Sequence, residues 1–197
     1  MPKQTVSPLL LETIKIEDGK IHNLAYHQKR CEYSRQTLFG SHDTLELASF
    51  INVPAKGLYR CRILYEKTFH SVSYIPYTPK EINALKIVTS NIKYDFKYAN
   101  REAFNTLLQA NQDVDEVIIE KEGFLTDTTI ANIAFYDGEQ WVTPKKPLLQ
   151  GTMRAKLIDE GLLKTADISK EDLPKYTHVA LMNAMIGFKI LNISTIK

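Results

Sequence analysis

The sequence has few cysteines and no long hydrophobic run. Only Cys31 and Cys61 carry thiols among its 197 residues, and their separation fits neither a CxxC motif nor a metal-ligand pair. Such sparse cysteine use is typical of a reducing compartment, so a cytoplasmic location is expected. No apolar stretch reaches the 18 residues of a transmembrane helix, and the N-terminal letters MPKQ do not begin a signal peptide. We therefore expect no membrane association and no secretion.

The chain also lacks a charge excess and the common catalytic signatures. Its net charge is +2, which argues against a dedicated nucleic-acid binder because such proteins usually carry a strongly basic face. A Walker loop, GxGxxG, HExxH and GxSxG are all missing. The five histidines show no metal-ligand spacing, so no metal site is expected.

What is present is a mixture of strand and helix patterns without regular alternation, which predicts an α+β fold. In the first half, a strand over 9–17 precedes the hairpin turn Asp18-Gly19. A helix over 24–39 is expected to end at Gly40, because glycine favours the left-handed C-terminal position. Further expected elements are a short helix over 43–51 and strands over 57–65 and 69–77.

A polar, proline-containing stretch between the two halves predicts two small domains, 1–80 and 81–197. The second half is expected to contain strands at 85–89, 116–120, 132–136, 140–143, 179–182 and 188–193. Its helices are expected at 101–112 and at 152–163, with Thr152 as the N-cap of the latter.

Three segments occur in a characteristic order. The first is the helical run His27-Gln28-Lys29-Arg30, and the second is Lys97-Tyr98-Ala99-Asn100-Arg101 at the start of a helix. The third runs from Asp115 through Asp127 and Asn132 to Thr143-Pro144 and Gly151-Thr152-Met153-Arg154. Together they resemble the class IV pyridoxal phosphate enzymes, a family that contains aminotransferases and aminodeoxychorismate lyases. The resemblance covers about residues 9 to 193.

This resemblance implies pyridoxal 5'-phosphate as cofactor, in a cleft between the two domains. Lys97 matches the family lysine that bonds covalently to the cofactor and later acts as general base. Arg30 matches the arginine that grips the cofactor phosphate, a task suited to the two parallel bonds of a guanidinium.

The resemblance also assigns three residues of the second half. Gly151-Thr152-Met153 would complete the phosphate site with the free N–H groups of a helix N-terminus. Some family members carry a hydroxyl where Met153 stands, so only its backbone is expected to contribute. Asp127 occupies the position of the family glutamate that pairs with the pyridine nitrogen.

Three activities are compatible with these residues. The first is a lyase similar to aminodeoxychorismate lyase, and Ala184 in the turn after Met182 favours that branch. The second is an aminotransferase for branched-chain or D-amino acids, and the third is a cofactor-binding protein with reduced catalysis. The short segment before Leu11-Glu12-Thr13-Ile14 differs from the family, so part of the usual substrate pocket is expected to be missing or replaced. A small amino substrate and a homodimer are implied by the resemblance alone.

Overall fold

The computed structural model describes residues 7–197, which form two compact units. The first unit contains the described residues up to Thr78 together with Phe96–Asn100. The second contains Pro79–Asp95 and Arg101–Lys197. The sequence predicts one boundary near Lys80, whereas the chain returns to the first unit for a short segment that includes Lys97. Helices and strands are mixed in the order expected of an α+β protein, which confirms the predicted fold class.

The first unit is a four-stranded antiparallel sheet in the order β2-β1-β3-β4. These strands are β1 (Leu10–Glu17), β2 (Lys20–Ile21), β3 (Leu58–Tyr65) and β4 (Phe69–Pro76). Alternate residues of β1 and β3 are buried against helix α1 (Leu24–Phe39), because successive side chains of a strand point to opposite faces. This core includes Leu10, Ile14, Ile16, Cys31, Cys61 and Ile63.

Two predicted turns of the first unit are confirmed. Asp18 and Gly19 have positive φ angles of 46° and 79° and join β1 to β2. This is the backbone geometry of a two-residue hairpin whose twist matches that of its strands. Gly40 ends α1 at φ 64°, and its N–H donates to the Gln36 carbonyl.

The second unit is a mixed sheet with two short helices. Its path is β10-β9-β8-β7-β6-β5, and the hairpin of β11 and β12 joins it by pairing β11 with β8. The elements in chain order are β5 (Leu85–Thr89), α2 (Glu102–Gln109), β6 (Glu116–Lys121), β7 (Phe124–Thr128), β8 (Asn132–Tyr136), β9 (Trp141–Pro144), α3 (Thr152–Asp159), β10 (Leu163–Ala166), β11 (His178–Asn183) and β12 (Gly187–Asn192). The strands β6, β7 and β8 are almost wholly buried, so they provide a rigid base for polar side chains.

Two helix predictions were wrong. Instead of a helix over 43–51 there is only a 3-10 turn at Leu47–Phe50. The Gln28 side chain explains this, because it bonds both the Leu45 carbonyl (3.0 Å) and the Leu47 N–H (2.9 Å). The helix predicted over 152–163 ends at Asp159, since Gly161 takes a φ of 75° and the chain then forms β10.

No helix within residues 7–197 combines the length and apolarity needed to cross a lipid bilayer.

Candidate active site

Lys97 lies on a short segment that pairs with the edge of the first sheet. The Leu11 N–H donates to the Lys97 carbonyl at 2.9 Å, and the Ala99 N–H donates to the Leu9 carbonyl at 2.9 Å. Leu10 and Tyr98 form an antiparallel bridge between these two bonds. The backbone of Lys97 is therefore fixed by β1, a strand more than eighty residues earlier in the sequence.

The two neighbours of Lys97 anchor it to the core of the first unit. Phe96 and Tyr98 both pack on the core beneath α1, and the Phe96 ring stacks on Tyr33 of that helix. The Tyr98 N–H donates to the Phe96 carbonyl at 2.9 Å, so the chain makes a tight turn at Lys97. The charge of Lys97 acts on His27 of α1. Lys97 as a whole is half-buried.

A buried carboxylate organises Arg30. Glu12 is fully buried in β1 and accepts bonds from the Arg30 guanidinium, with Nε to Oε1 at 2.9 Å and Nη2 to Oε2 at 2.6 Å. The second carboxylate oxygen also contacts His27 Nδ1 at 2.6 Å. Because two parallel bonds fix the plane of a guanidinium, Glu12 orients Arg30 as well as neutralising it.

The charges of this group follow from its surroundings. Burial raises the pKa of Glu12, but the Arg30 charge and the bonds from His27 and Arg30 outweigh it and lower that pKa to about 2. Burial lowers the pKa of His27, and the positive charges of Arg30 and Lys97 lower it further against the opposing effect of Glu12. Glu12 is therefore ionised at neutral pH, and a neutral His27 can donate its Nδ1 proton to it.

Asp127 is the buried acid of the second unit. It lies in β7, and its carboxylate accepts from Asn132 Nδ2 at 2.8 Å and from the Leu149 N–H at 2.9 Å. Burial raises the pKa of Asp127 to about 7, against the lowering effect of these donors. Such a carboxyl group can hold or release a proton near neutral pH, and a cationic partner would favour its ionised form.

Asn132 connects Asp127 to the N-terminus of α3. Its Nδ2 also donates to the Leu149 carbonyl at 2.8 Å, in the loop that leads to Gly151. A Cβ atom on Gly151 would lie only 1.8 Å from Asn132 Oδ1, so no other residue fits there without displacing Asn132. The same glycine is the N-cap of α3, which moves the predicted cap from Thr152 to Gly151.

The residues after Gly151 are fixed by burial. Thr152 is buried, and Met153 packs on an apolar cluster that includes Ala134 and Leu157. The side chain of Met153 thus serves the core, which leaves its backbone for any ligand. Arg154 is also buried and donates from Nη2 to the Pro144 carbonyl at 2.8 Å, which holds the loop before α3 against β9.

The predicted site residues fall into two groups. Arg30 and Lys97 belong to the first unit, where both charges act on His27. Asp127, Thr152 and Met153 belong to the second unit. In chemical terms the set fits pyridoxal phosphate: an amine for its aldehyde, an oriented guanidinium for its phosphate and a buried carboxyl for its ring nitrogen. Within residues 7–197, no three His, Cys, Asp or Glu side chains cluster as metal ligands would.

Sequence reasoning did not select Glu12, His27, Asn132 and Arg154 as site residues. Two signals were available for the first pair. Glu12 interrupts the buried, apolar face of β1, where an ionised group requires a partner. His27 and Arg30 lie three residues apart and therefore share one face of α1. The contacts of Asn132 and Arg154 depend on the loop at 144–151, which carries no comparable pattern.

Comparisons with known proteins identify the family. The family model for amino-transferase class IV matches residues 9–193. An uncharacterized protein of Haemophilus influenzae is 36% identical over 184 residues, which cover 90% of this chain and 98% of that protein.

Solved structures extend the comparison. A protein of Haemophilus somnus 129PT, provisionally assigned as a 4-amino-4-deoxychorismate lyase, has a TM-score of 0.85 at 36% identity, covering 93% of this chain and 99% of its own. A provisionally assigned amino-acid aminotransferase of Mesorhizobium loti has a TM-score of 0.81 at 22% identity, covering 96% and 98% of the two chains. The family match spans nearly all of the residues that form the two units, and the chain is a member of the class IV aminotransferase family of pyridoxal phosphate-dependent enzymes.

Proposed function

We propose that the protein binds pyridoxal 5'-phosphate covalently through Lys97 and converts 4-amino-4-deoxychorismate to 4-aminobenzoate and pyruvate. The observation that supports this proposal most directly is the 36% identity to the Haemophilus somnus protein over almost the full length of both chains. We also propose that the enzyme works as a homodimer in the cytoplasm.

Each residue has one role in this proposal. Arg30, oriented by Glu12, binds the cofactor phosphate together with the backbone at Thr152 and Met153. Asp127 in its ionised form pairs with the ring nitrogen. The bound cofactor supplies an electron sink for the carbon that carries the substrate amine.

Lys97 then performs the proton transfer. Its amine would remove the proton from the substrate carbon that bears the amino group. Pyruvate leaves the substrate as its ring becomes aromatic.

A second candidate is amino transfer to a 2-oxo acid, which begins with the same proton transfer. The match to the Mesorhizobium loti aminotransferase supports it at the level of the fold. A panel assay separates the two, with pyruvate release from 4-amino-4-deoxychorismate in one arm and amino transfer between amino acids and 2-oxo acids in the other. Pyruvate release without amino transfer is expected, and the reverse result would replace the lyase proposal.

Covalent attachment is tested independently of turnover. The purified protein is expected to show a visible absorption band from lysine-bound cofactor, and Lys97→Ala is expected to lose it. Lys93→Ala is the matched control, an exposed lysine close by in the sequence. Borohydride reduction and peptide mapping should place the cofactor on Lys97, and a label on any other lysine would refute the assignment.

A further inference from the structure

Glu116 is a buried acid of the second unit that has no part in the reaction described above. It is the first residue of β6 and is only 2% exposed. Its carboxyl group accepts bonds from the Val117 N–H at 3.0 Å, the Thr129 N–H at 3.2 Å and the Thr129 hydroxyl at 2.8 Å. Among the described residues, 7–197, no lysine, arginine or histidine forms an ion pair with it.

Thr129 is held by two side chains at once. Glu116 accepts its N–H and its hydroxyl, and the Arg101 guanidinium donates from Nη2 to its carbonyl at 2.5 Å. Arg101 in turn lies over the Phe104 ring at 4.9 Å, which restricts the position of the guanidinium. Every polar group of Thr129 therefore has a partner, and these partners come from β6 and from the residue before α2.

Thr129 lies in the turn that joins β7 to β8. The residues that flank this turn are Asp127 and Asn132, which pair across the two strands and share a hydrogen bond of 2.8 Å. The turn also closes on itself, because the Thr128 N–H donates to the Ala131 carbonyl at 2.8 Å. The bonds from β6 are thus not required to form the turn, and what they fix is its position relative to β6.

The burial of Glu116 is unfavourable in itself. A buried carboxyl group without a cationic partner costs stability, and apolar side chains would fill the same space without that cost. What they could not supply is a directional hold on Thr129, since hydrogen bonds constrain both distance and angle. Because Thr129 follows Asp127 closely in the chain, a displaced turn would also displace the Asp127 carboxyl group.

We propose that Glu116 is a positioning residue that acts through Thr129 to hold the β7–β8 turn, and so fixes the Asp127 carboxyl group for its contact with the cofactor ring nitrogen. Glu116 itself touches neither cofactor nor substrate. This inference rests on the proposed role of Asp127 and makes the contact of that residue depend on a side chain of β6.

The first experiment compares two ligands that differ only at the ring nitrogen. The cofactor-free protein is titrated by calorimetry with pyridoxal 5'-phosphate and with its 1-deaza analogue, in which a C–H group replaces the nitrogen. The ratio of the two affinities isolates the Asp127 contact, because both ligands carry the same aldehyde and phosphate. The wild type is expected to prefer pyridoxal 5'-phosphate roughly ten- to hundredfold, the usual effect of one charge-assisted contact.

Variants of the pair assign this preference to the hold on the turn. Thr129→Val keeps the side-chain shape but loses the hydroxyl bond to Glu116, so it is expected to reduce the preference several-fold. Thr129→Ser keeps the hydroxyl and should retain most of the preference. Glu116→Gln should do the same, because its amide oxygen can still accept both bonds from Thr129.

Thr89→Val is the matched control. It removes a hydroxyl that bonds another buried acid of β6, Glu120, at 2.7 Å, and it leaves the β7–β8 turn untouched. The ligand preference is expected to stay at the wild-type value in this variant.

A second measurement needs no cofactor. Burial raises the pKa of Asp127 to about 7, against the lowering effect of its hydrogen-bond donors and of the Arg154 charge. A turn that yields in Thr129→Val would admit water to the carboxyl group and lower this pKa toward the ordinary value of 3.8. The stability that the cofactor-free protein loses between about pH 5 and about pH 8 in urea unfolding should therefore be smaller in Thr129→Val than in the wild type.

The outcomes separate this inference from the proposed function. Equal affinity of the wild type for the two ligands would refute the contact between Asp127 and the ring nitrogen, and the role of Glu116 falls with it. A wild-type preference that persists in Thr129→Val, or a wild-type pH profile in that variant, overturns only the positioning role. The proposed function then stands, and Glu116 serves the stability of the fold alone.

Discussion

Glu12 and Asp127 are both buried carboxyl groups, yet their neighbours shift their pKa values in opposite directions. Glu12 contacts the Arg30 guanidinium, and its pKa falls to about 2. Asp127 accepts bonds from neutral groups, including those of Asn132 and Leu149, and these bonds and the Arg154 charge lower its pKa less than burial raises it, to about 7. Glu12 is therefore ionised at neutral pH, whereas Asp127 would lose its proton when a positively charged ligand group binds beside it.

The raised pKa of Asp127 predicts a pH effect on the stability of the cofactor-free protein. The folded state binds this proton more tightly than the unfolded chain, whose aspartates have a pKa near 3.8. The stability that this proton contributes is therefore fully present below the unfolded-chain pKa of 3.8, and it is lost as the pH rises through the folded-state pKa of about 7. Urea unfolding between about pH 5 and about pH 8 should show the wild type losing stability relative to Asp127→Asn, which cannot titrate. Parallel pH profiles would contradict the assignment.

The ion pair of Arg30 with Glu12 predicts two separable effects of Arg30→Ala. Removing one partner of a buried pair typically costs about 3–5 kcal/mol of stability. Losing the phosphate contact should weaken cofactor binding roughly ten- to hundredfold. Glu12→Gln in the same chain should restore part of the stability, measured by urea unfolding, without restoring the affinity, measured by titration of the cofactor-free protein. Restored affinity in the double variant would indicate that Arg30 acts only through the fold.

At the scale of elements, the loop before α3 is linked to strands β7 and β8 through the side chains of Asp127 and Asn132. Asn132, at the start of β8, bonds Asp127 of β7 and the Leu149 carbonyl and also fills the space above Gly151. The Asn132 amide therefore contacts both parts of the chain that are proposed to bind the cofactor, the carboxylate for its ring nitrogen and the loop that leads to its phosphate.

This arrangement predicts a non-additive pair of variants. Gly151→Ala places a methyl group against Asn132 and should lower both stability and cofactor affinity, because Asn132 must release Asp127 and Leu149. Asn132→Ala removes the obstacle, so the double variant should be little worse than Asn132→Ala alone. Urea unfolding and cofactor titration of all four proteins would show this, and additive losses would exclude the proposed clash as the cause.

The elements that the sequence predicted well are those determined by local backbone chemistry. The Asp18-Gly19 hairpin and the Gly40 end of α1 follow from residues that tolerate positive φ angles. The short strands β7 and β10 were missed, because β7 is almost wholly buried and shows no alternation, and β10 continues the helical pattern of α3 beyond Gly161. Non-local contacts, such as the Gln28 bonds near Leu47, also lie outside any local pattern.

For the site, too, the residues could be predicted but their non-local contacts could not. The roles of Lys97, Arg30 and Asp127 come from the family resemblance and remain predictions. Their surroundings could not be derived from spacing, because Glu12 meets Arg30 across a strand–helix contact and Asp127 meets Leu149 across twenty-two residues of chain. What the sequence did contain was the buried acid in an apolar strand, which indicates that a cationic partner must exist.

At the scale of the whole molecule, the chain passes from the first unit to the second and back before it finally enters the second. The returning segment Phe96–Asn100 contributes two aromatic side chains to the first core. A fragment that ends at the predicted boundary near Lys80 would therefore leave apolar surface uncovered.

This topology predicts the behaviour of two fragments. Residues 1–80 alone should show no cooperative urea transition, because Phe96 and Tyr98 are missing from their core. A fragment in which a Gly/Ser linker of equal length replaces 79–95 and the chain continues to 100 should unfold cooperatively. Circular dichroism during urea titration measures both, and equal behaviour would show that the returning segment is dispensable for the first unit.

The pairing of the Lys97 segment with β1 also determines when the first sheet can be completed during synthesis. Strand β1 leaves the ribosome early, but its partner segment around Tyr98 follows only when about half of the chain has been made. At a synthesis rate of about 5–20 residues per second, several seconds pass between the synthesis of β1 and that of the segment that pairs with its edge. Lys97 thus reaches its position only as that sheet is completed, and a shorter nascent chain would lack the lysine that we propose to bind the cofactor.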